Sequence, residues 1–334
     1  MGKMLKKPAA SSGSTMKTTG TAGLAVCRAA LEEVPVGQVV TKKELALMAF
    51  GHPGQGQLAQ IGKAAAALAA GRVKGWWRIV NSGTPALQSG REAEQKRRLE
   101  EEGASLDFPV KRDPAALPPF LATIFGCVEI PPTGPHTHTL VYLHGRKFIG
   151  SYYLKQKHFF DGPFASCLRV VLPTAPLVGE QMLTEWFSEW PPTPRSLAPG
   201  RQKVADILAR EVAKLGEADK VFLGGSSQGC ILGLDAFLRS PHDLGGFFGL
   251  NGYWPTGSGE ALAKVRPGLL KRRLLLVHGE RDTVVDPISA KSSYEELRKA
   301  GLTPEILQVP KMSHHAGELE GKYIQHFLSQ VLRQ

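Results

Sequence analysis

Apolar positions along this chain follow two rhythms, and the change between them falls near residue 115. The first part reads as short helices. Residues 24–31 form one that runs into the turn Val34-Pro35-Val36-Gly37. Thr41-Lys42-Lys43-Glu44 is a capping box, with Thr41 as N-cap and Glu44 reaching back, and Leu45, Leu47 and Met48 supply the apolar side of the helix it opens. Gly51 ends that helix, with Pro53 beyond, and a further helix over 57–70 ends at Gly71. Two short helices joined by residues 51–56 make a helix-turn-helix-like arrangement. The Ala-rich stretch 63–70 has little side-chain bulk and suits tight helix packing, and residues 90–103 read as a charged helix with a solvated face. After the Pro-rich joint 113–119 the pattern alternates. Strands are predicted over 121–130, 140–143, 168–172, 221–223, 274–277 and 306–309, with helices over 204–215, 229–238 and 290–300. Short apolar strands separated by helices indicate a mostly parallel α/β sheet.

At 334 residues the chain exceeds the length at which one core usually stops growing, so two domains are expected. The boundaries read as a basic disordered tail over 1–22, a small, mostly α domain over 23–109, a linker over 110–119 and an α/β domain over 120–334. No apolar run is long enough to cross a bilayer, so a protein without a membrane span is expected. The four scattered cysteines form no C-x-x-C pair, which fits a reducing intracellular compartment, cytoplasmic or nuclear. The first twenty residues hold no apolar core of a secretory signal, and Lys6 stands where myristoylation wants Ser or Thr. The net charge is +11, and residues 1–115 hold 17 Lys+Arg against 10 Asp+Glu, so most of the excess sits in about a third of the chain. That imbalance suggests a polyanion partner for the first part.

The chemistry-bearing residues lie mainly in the second part. Residues 220–229 run a strand straight into Gly225-Ser226-Ser227-Gln228-Gly229, the G-x-S-x-G pattern in which glycines relieve crowding around a serine on a sharp strand-to-helix turn. Ser227 is the candidate nucleophile. An acid and then a histidine should follow. Asp282 lies just after the strand 274–277, and His314 lies after the strand 306–309, with Asp286 and His315 as competitors. In these roles His314 takes the Ser227 proton and returns it to the leaving group, while Asp282 holds the imidazole tautomer.

With these motifs in hand, residues from about 120 to 334 resemble the phospholipase/carboxylesterase branch of the α/β-hydrolases, which includes acyl-protein thioesterases. The matching stretches are Leu143-His144-Gly145, Pro173-Thr174-Ala175-Pro176, Trp186-Phe187, 224–229, 278–282 and Met312-Ser313-His314. The resemblance implies a doubly wound sheet, an acyl ester or thioester substrate, no cofactor, and an oxyanion hole built from the N–H groups of Gln228 and Arg146. One departure is the loop Arg146-Lys147-Phe148-Ile149-Gly150-Ser151, bulkier and more basic than the Gly-rich loop of the family, which implies a reshaped site or an acidic substrate.

Residues 23–107 are similar to the DNA-binding domain of methylguanine-DNA methyltransferases, through Val34–Thr41, Gly51-His52-Pro53, Ile61–Ala64, Arg78–Ser82 and Glu100–Gly103. Where those enzymes carry Pro-Cys-His-Arg this chain has Gly75-Trp76-Trp77-Arg78, which excludes alkyl transfer and points to the non-repairing alkyltransferase-like proteins, of winged-helix-like fold. The resemblance implies DNA carrying O6-alkylguanine as a partner, with Trp76 and Trp77 against the base and Lys42, Lys43, Lys63 and Arg78 among the DNA contacts. Lys42 and Ala59 stand where the family has a Tyr and a base-replacing Arg. No Asp/Glu/Cys set joins His136, His138, His314 or His315 into a metal cluster. Two functions follow as expectations: a serine esterase or thioesterase joined to a lesion-recognition module, or a lesion-binding signalling protein with an inactive hydrolase scaffold.

Overall fold

The computed structural model describes residues 20–52, 55–70, 74–80, 91–104, 110, 116–178, 183–255 and 259–332. Of the tail predicted over 1–22, residues 1–19 lie outside the described residues and 20–22 open the first helix; the centre of the linker, 111–115, also lies outside the described residues.

The first part is a layer of helices: α1 (Gly20–Glu32), α2 (Lys42–Phe50), α3 (Gln55–Ala70) and α4 (Glu92–Glu101), with a two-residue parallel pair of β1 (Val40–Thr41) and β2 (Ile79–Val80). The capping box forms as the sequence predicts. Thr41 Oγ1 accepts from the Glu44 N–H at 3.1 Å and Glu44 Oε2 accepts from the Thr41 N–H at 2.7 Å. Gly51 closes α2 in the left-handed conformation at φ 77°. Cys27, Leu31, Leu45, Ala46, Ile61 and Trp76 are buried together as the core of this layer, and Ala64 and Ala65 join them, so the alanines serve close helix packing.

The second part begins with a correction. Residues 121–130 divide into a helix, α5 (Pro119–Phe125), and a strand, β3 (Cys127–Ile130). Pro119 has the preset φ of a first helical turn and lacks only an N–H that such a turn leaves unbonded, so it starts a helix where the apolar run alone suggests a strand. There follow β4 (His138–Leu143), the single turn α6 (Tyr152–Lys155), β5 (Leu168–Pro173), a small antiparallel pair of β6 (Leu177–Val178) and β7 (Leu183–Thr184), and α7 (Pro194–Leu215). The chain continues through β8 (Val221–Ser226), α8 (Gln228–Arg239), β9 (Gly246–Leu250), α9 (Gly259–Ala263) and α10 (Pro267–Leu270). It ends with β10 (Arg273–Gly279), α11 (Pro287–Lys299), β11 (Glu305–Val309) and α12 (Glu318–Val331). The fold is α/β-hydrolase-like, with a seven-stranded sheet in the order β11-β10-β9-β8-β4-β5-β3, parallel except at β3. β9 and α12 were not among the elements expected from the sequence.

Both faces of the sheet are covered, which is why its strands read as unbroken apolar runs. On one face Val141, Leu143, Leu223, Phe247 and Leu276 pack with α7, α8 and α11. On the other, Leu140, Tyr142, Phe222, Phe248, Leu275 and Val277 pack with α12 and the segment around Phe159 and Phe160. The chain leaves β4 for β5 on one side and returns to β8 on the other, so the strand order reverses between β4 and β8. Ligands of open parallel sheets bind outside the carboxyl ends of the strands at such a point. A third cluster joins the two parts: Leu47 of α2 is buried with Leu121, Phe125 and Ile149.

The capping box generates the first prediction. Thr41→Ala lowers the free energy of unfolding by about 1 kcal/mol, read from the shift of the urea midpoint, and Thr41→Ser restores most of it.

Candidate active site

Leu143 of β4 pairs with Gly225 of β8, so the residues that follow these strands meet at the reversal of strand order. Ser227 occupies the turn from β8 to α8 at φ 54° and ψ −120°, a conformation that a non-glycine residue adopts only under strain. The glycines beside it are required by close approach. A Cβ on Gly225 would lie 2.5 Å from the Gly229 carbonyl carbon, and one on Gly229 would lie 2.2 Å from the Leu143 oxygen. The Ser227 N–H is held by the Leu250 carbonyl at 2.9 Å, which anchors the turn to β9.

The structure brings Ser227, Asp282 and His314 together. Ser227 Oγ is 2.9 Å from His314 Nε2, and His314 Nδ1 is 2.8 Å from Asp282 Oδ2. The other carboxylate oxygen of Asp282 accepts from the N–H groups of Val284 at 2.8 Å and Val285 at 2.9 Å, and His278 Nε2 lies 3.3 Å from Oδ2. Burial alone would push this carboxyl up; the hydrogen bonds from His278 and His314, with the remaining donors, outweigh it and hold the carboxyl well below the usual range. Asp282 is therefore ionised and can only accept, so His314 carries its proton on Nδ1 and leaves Nε2 to accept from the serine hydroxyl. The two competitors lie elsewhere. Asp286 caps α11, accepting from the Ser289 N–H at 2.9 Å, and His315 stacks edge-on against His314 at 5.6 Å.

Asn251, not singled out from the sequence, ties the ends of three strands to the histidine. Its Nδ2 donates to the Ser313 and His314 carbonyls at 3.2 and 2.8 Å, and its Oδ1 accepts from the Gly279 N–H at 2.9 Å. Its signal is a polar residue ending the apolar run 246–250, which becomes visible only once that run is taken as a strand.

The backbone N–H of Gln228 is the first of α8, one of the donors a helix cannot satisfy internally. Its side chain clamps a second segment, accepting from the Trp186 N–H at 3.0 Å and donating to the Phe187 carbonyl at 3.0 Å. Arg146 follows Gly145 at the end of β4. Its guanidinium donates to Glu185 Oε1 at 2.8 and 2.6 Å, so its charge is paired with a buried carboxylate, while Arg146 and Lys147 both stay exposed at the surface. The rest of the loop is equally tied. The Lys147 N–H donates to the Thr184 carbonyl at 2.9 Å with Lys147 at φ 70°, Thr184 Oγ1 donates to the Phe148 carbonyl at 2.6 Å, and the Gly150 N–H donates to Thr174 Oγ1 at 2.9 Å. Beneath it His144 is fully buried. Its Nε2 accepts from the Ala175 N–H at 2.9 Å, which leaves Nδ1–H to donate to the Gly145 carbonyl at 2.7 Å. This arrangement needs a neutral ring, and burial draws the His144 pKa down to about 4.

The side chains expected at DNA are placed differently. Trp76 is 2% exposed, packed in the helical core with the Arg91 guanidinium 4.5 Å from its ring, and it offers no wall to a flipped base. Trp77 is half-buried beneath Arg98. Arg78 is 7% exposed and fully engaged: Nε and Nη2 donate to the Glu102 carboxylate at 2.8 and 2.7 Å, and Nη1 donates to the Val34 carbonyl at 2.7 Å. A phosphate contact by Arg78 would have to break that bidentate pair. Lys42 and Lys43 are half-buried at the start of α2, where burial and the nearby charge of Lys147 lower the Lys43 pKa, and Lys63 is exposed on α3. Among the described residues no group of three or more His, Cys, Asp or Glu side chains could hold a metal ion, and no helix is long and apolar enough to cross a membrane.

The buried neutral His144 makes stability depend on pH. Between its ordinary 6.5 and about 4 the unfolded chain takes up a proton that the folded chain does not. Stability is therefore unaffected by this group above pH 6.5 and falls as the pH is lowered, by about 3 kcal/mol at pH 4. His144→Gln removes that contribution, so its unfolding free energy, followed by urea titration from pH 7 to pH 4, changes less than that of the wild type.

Comparison with known proteins bears on the second part of the chain. Residues 185–332 match the family described as Phospholipase/Carboxylesterase. Acyl-protein thioesterase 1 homolog 1 of Dictyostelium discoideum is 25% identical over 213 residues, 59% of this chain and 92% of that protein. A probable inactive carboxylesterase of Oryza sativa subsp. japonica is 25% identical over 59% of this chain and 86% of its own length. Among solved structures, that of SOBER1 from Arabidopsis thaliana is 25% identical, covers 58% of this chain and 99% of its own, and superposes with a TM-score of 0.54. The C-terminal part of the chain is thus similar to phospholipase/carboxylesterase and acyl-protein thioesterase proteins.

Proposed function

We propose that this protein is a serine hydrolase that cleaves carboxylic esters or thioesters through an acyl-enzyme on Ser227. The reading is carried by one observation, the continuous hydrogen-bonded line Ser227–His314–Asp282 with contacts of 2.9 and 2.8 Å. In the reaction Ser227 Oγ attacks the acyl carbon as His314 Nε2 accepts its proton. The negative charge that develops on the carbonyl oxygen faces the N–H groups of Gln228 and Arg146. Collapse of the tetrahedral intermediate breaks the C–O or C–S bond, and His314 returns the proton to the departing alcohol or thiol. Water, deprotonated by the same imidazole, then attacks the acyl-enzyme, and Ser227 is regained. Asp282 stays ionised throughout and stabilises the imidazolium. The ties on Gly145–Gly150 support the role given to Arg146, because an oxyanion donor must be held in place before charge develops.

The alternative, an inactive scaffold beside a lesion-binding module, finds less support. The triad is fully hydrogen bonded, while Trp76, expected against the base, and Arg78, expected among the DNA contacts, are withdrawn into the helical core. The sequence resemblance of residues 23–107 and the exposed Lys63 remain in its favour, and a gel-shift comparison of duplexes with and without O6-methylguanine tests it directly.

Two substitutions test the acyl-transfer reading with p-nitrophenyl butyrate. Ser227→Ala lowers kcat by about 1,000-fold or more, and Asp282→Asn lowers it by about 10,000-fold by inverting the imidazole tautomer. Wild-type-like turnover in Ser227→Ala would overturn the reading.

A further inference from the structure

The loop that carries Arg146 rests on the helical layer as well as on its own sheet. The Ile149 N–H donates to the Gly51 carbonyl at 3.2 Å, where α2 ends. One residue on, the His52 ring stacks on Phe148 at 4.8 Å with 25° between the planes, and meets Tyr152 edge-on at 6.0 Å. Phe148 and Tyr152 are themselves in contact at 4.9 Å, so His52 completes a three-ring cluster. Lys155 Nζ reaches back across the same seam to the Met48 carbonyl at 3.0 Å and to that of Ala49, which satisfies carbonyls that the end of a helix leaves open. There is no room for slack: a Cβ on Gly51 would lie 2.5 Å from the Tyr152 Cβ.

The position of Phe148 gives this contact its meaning. It lies two residues after Arg146, its carbonyl is held by Thr184, and its N–H returns to the Gly145 carbonyl at 3.2 Å, so it closes the turn whose middle residues are Arg146 and Lys147. Its ring is held by His52 on one side and Tyr152 on another. Burial first, and then the charges of His315 and Lys155, draw the His52 pKa down to about 4. The ring is neutral near pH 7, and what it supplies there is a stacked surface.

We infer that His52 is a positioning residue of the active site: by stacking on Phe148, the end of α2 holds the oxyanion loop in the form that the reaction requires. The inference rests on the acyl-transfer reading and deepens it, making the helical layer a working part of the hydrolase. His52 does not touch the reacting atoms. It acts through Phe148 on the direction of the Arg146 N–H, so its loss should reach the transition state more than substrate binding.

The test compares His52→Ala and His52→Phe in the full chain, with p-nitrophenyl butyrate turnover and thermal melting measured on each. The expected result is a kcat about 10- to 100-fold below wild type in His52→Ala with KM little changed, since a small misplacement of a catalytic donor has effects of this size. His52→Phe keeps a flat ring for Phe148 and restores kcat to within about threefold of wild type. A purely structural role would move the melting temperature and leave this split between kcat and KM, and its rescue by Phe, unexplained. Wild-type kcat in His52→Ala overturns the inference, as does an equal loss in both variants. A wild-type protein that neither turns over the ester nor reacts with a fluorophosphonate overturns the acyl-transfer reading itself, and the inference with it.

Discussion

The close approach of β8 to β4 at the carboxyl end of the sheet is the constraint on which the rest of the site depends. Gly225 and Gly229 pass so near the Leu143 carbonyl that neither position admits a side chain, and this contact forces the chain through a left-handed residue at Ser227. The serine is thereby lifted out of the sheet at the point where strand order reverses. The same contact sets Gly145 beside it, with the Gly145 Cα close enough that an added Cβ would meet the Ser227 Cβ at 3.4 Å. Nucleophile and oxyanion loop are thus one packing problem. Around it the molecule adds polar ties: His144 below the loop, Gln228 to the Trp186 segment, and Asn251 to the histidine. Each buried polar group in these ties has its partner, which keeps the arrangement single-valued.

A second buried device links the two ends of the site. The hydroxyls of Tyr142 on β4 and Tyr153 on α6 both donate to Glu320 Oε1 at 2.8 Å. Burial raises the Glu320 carboxyl pKa, against the pull of the two tyrosines. Glu320 lies on α12, just past the loop of His314, while Tyr153 lies just past the oxyanion loop. Through one carboxyl oxygen Glu320 thus ties the sheet, the turn after the loop and the last helix to one another.

Much of this was legible in the sequence because it rests on local chemistry. A capping box needs two side chains three residues apart, and the nucleophile turn needs glycines at fixed positions around a serine; both lie within a few residues of chain. The acid and histidine were readable from their places after apolar runs. What escaped was non-local or lay in a competing local signal. β9 reads Gly246-Phe247-Phe248-Gly249-Leu250, where two glycines mask a buried strand that close packing against Cys230 and Leu276 demands. Residues 121–130 were apolar enough for one strand, but Pro119 started a helix. The sequence shows the charges of Arg146 and Arg78 but not their partners, Glu185 and Glu102, each distant in the chain. His52 was visible only as part of a resemblance, since nothing in the spacing of residues 51–53 points to a ring 96 residues further on.

The activation of Ser227 is tested most directly by covalent labelling. Intact-protein mass spectrometry after treatment with a fluorophosphonate, followed by peptide mapping, reads out whether the strained serine is an activated nucleophile. A single adduct is expected, located on Ser227 and absent from the His314→Ala protein. An unmodified chain, or an adduct on another residue with Ser227 intact, would contradict it.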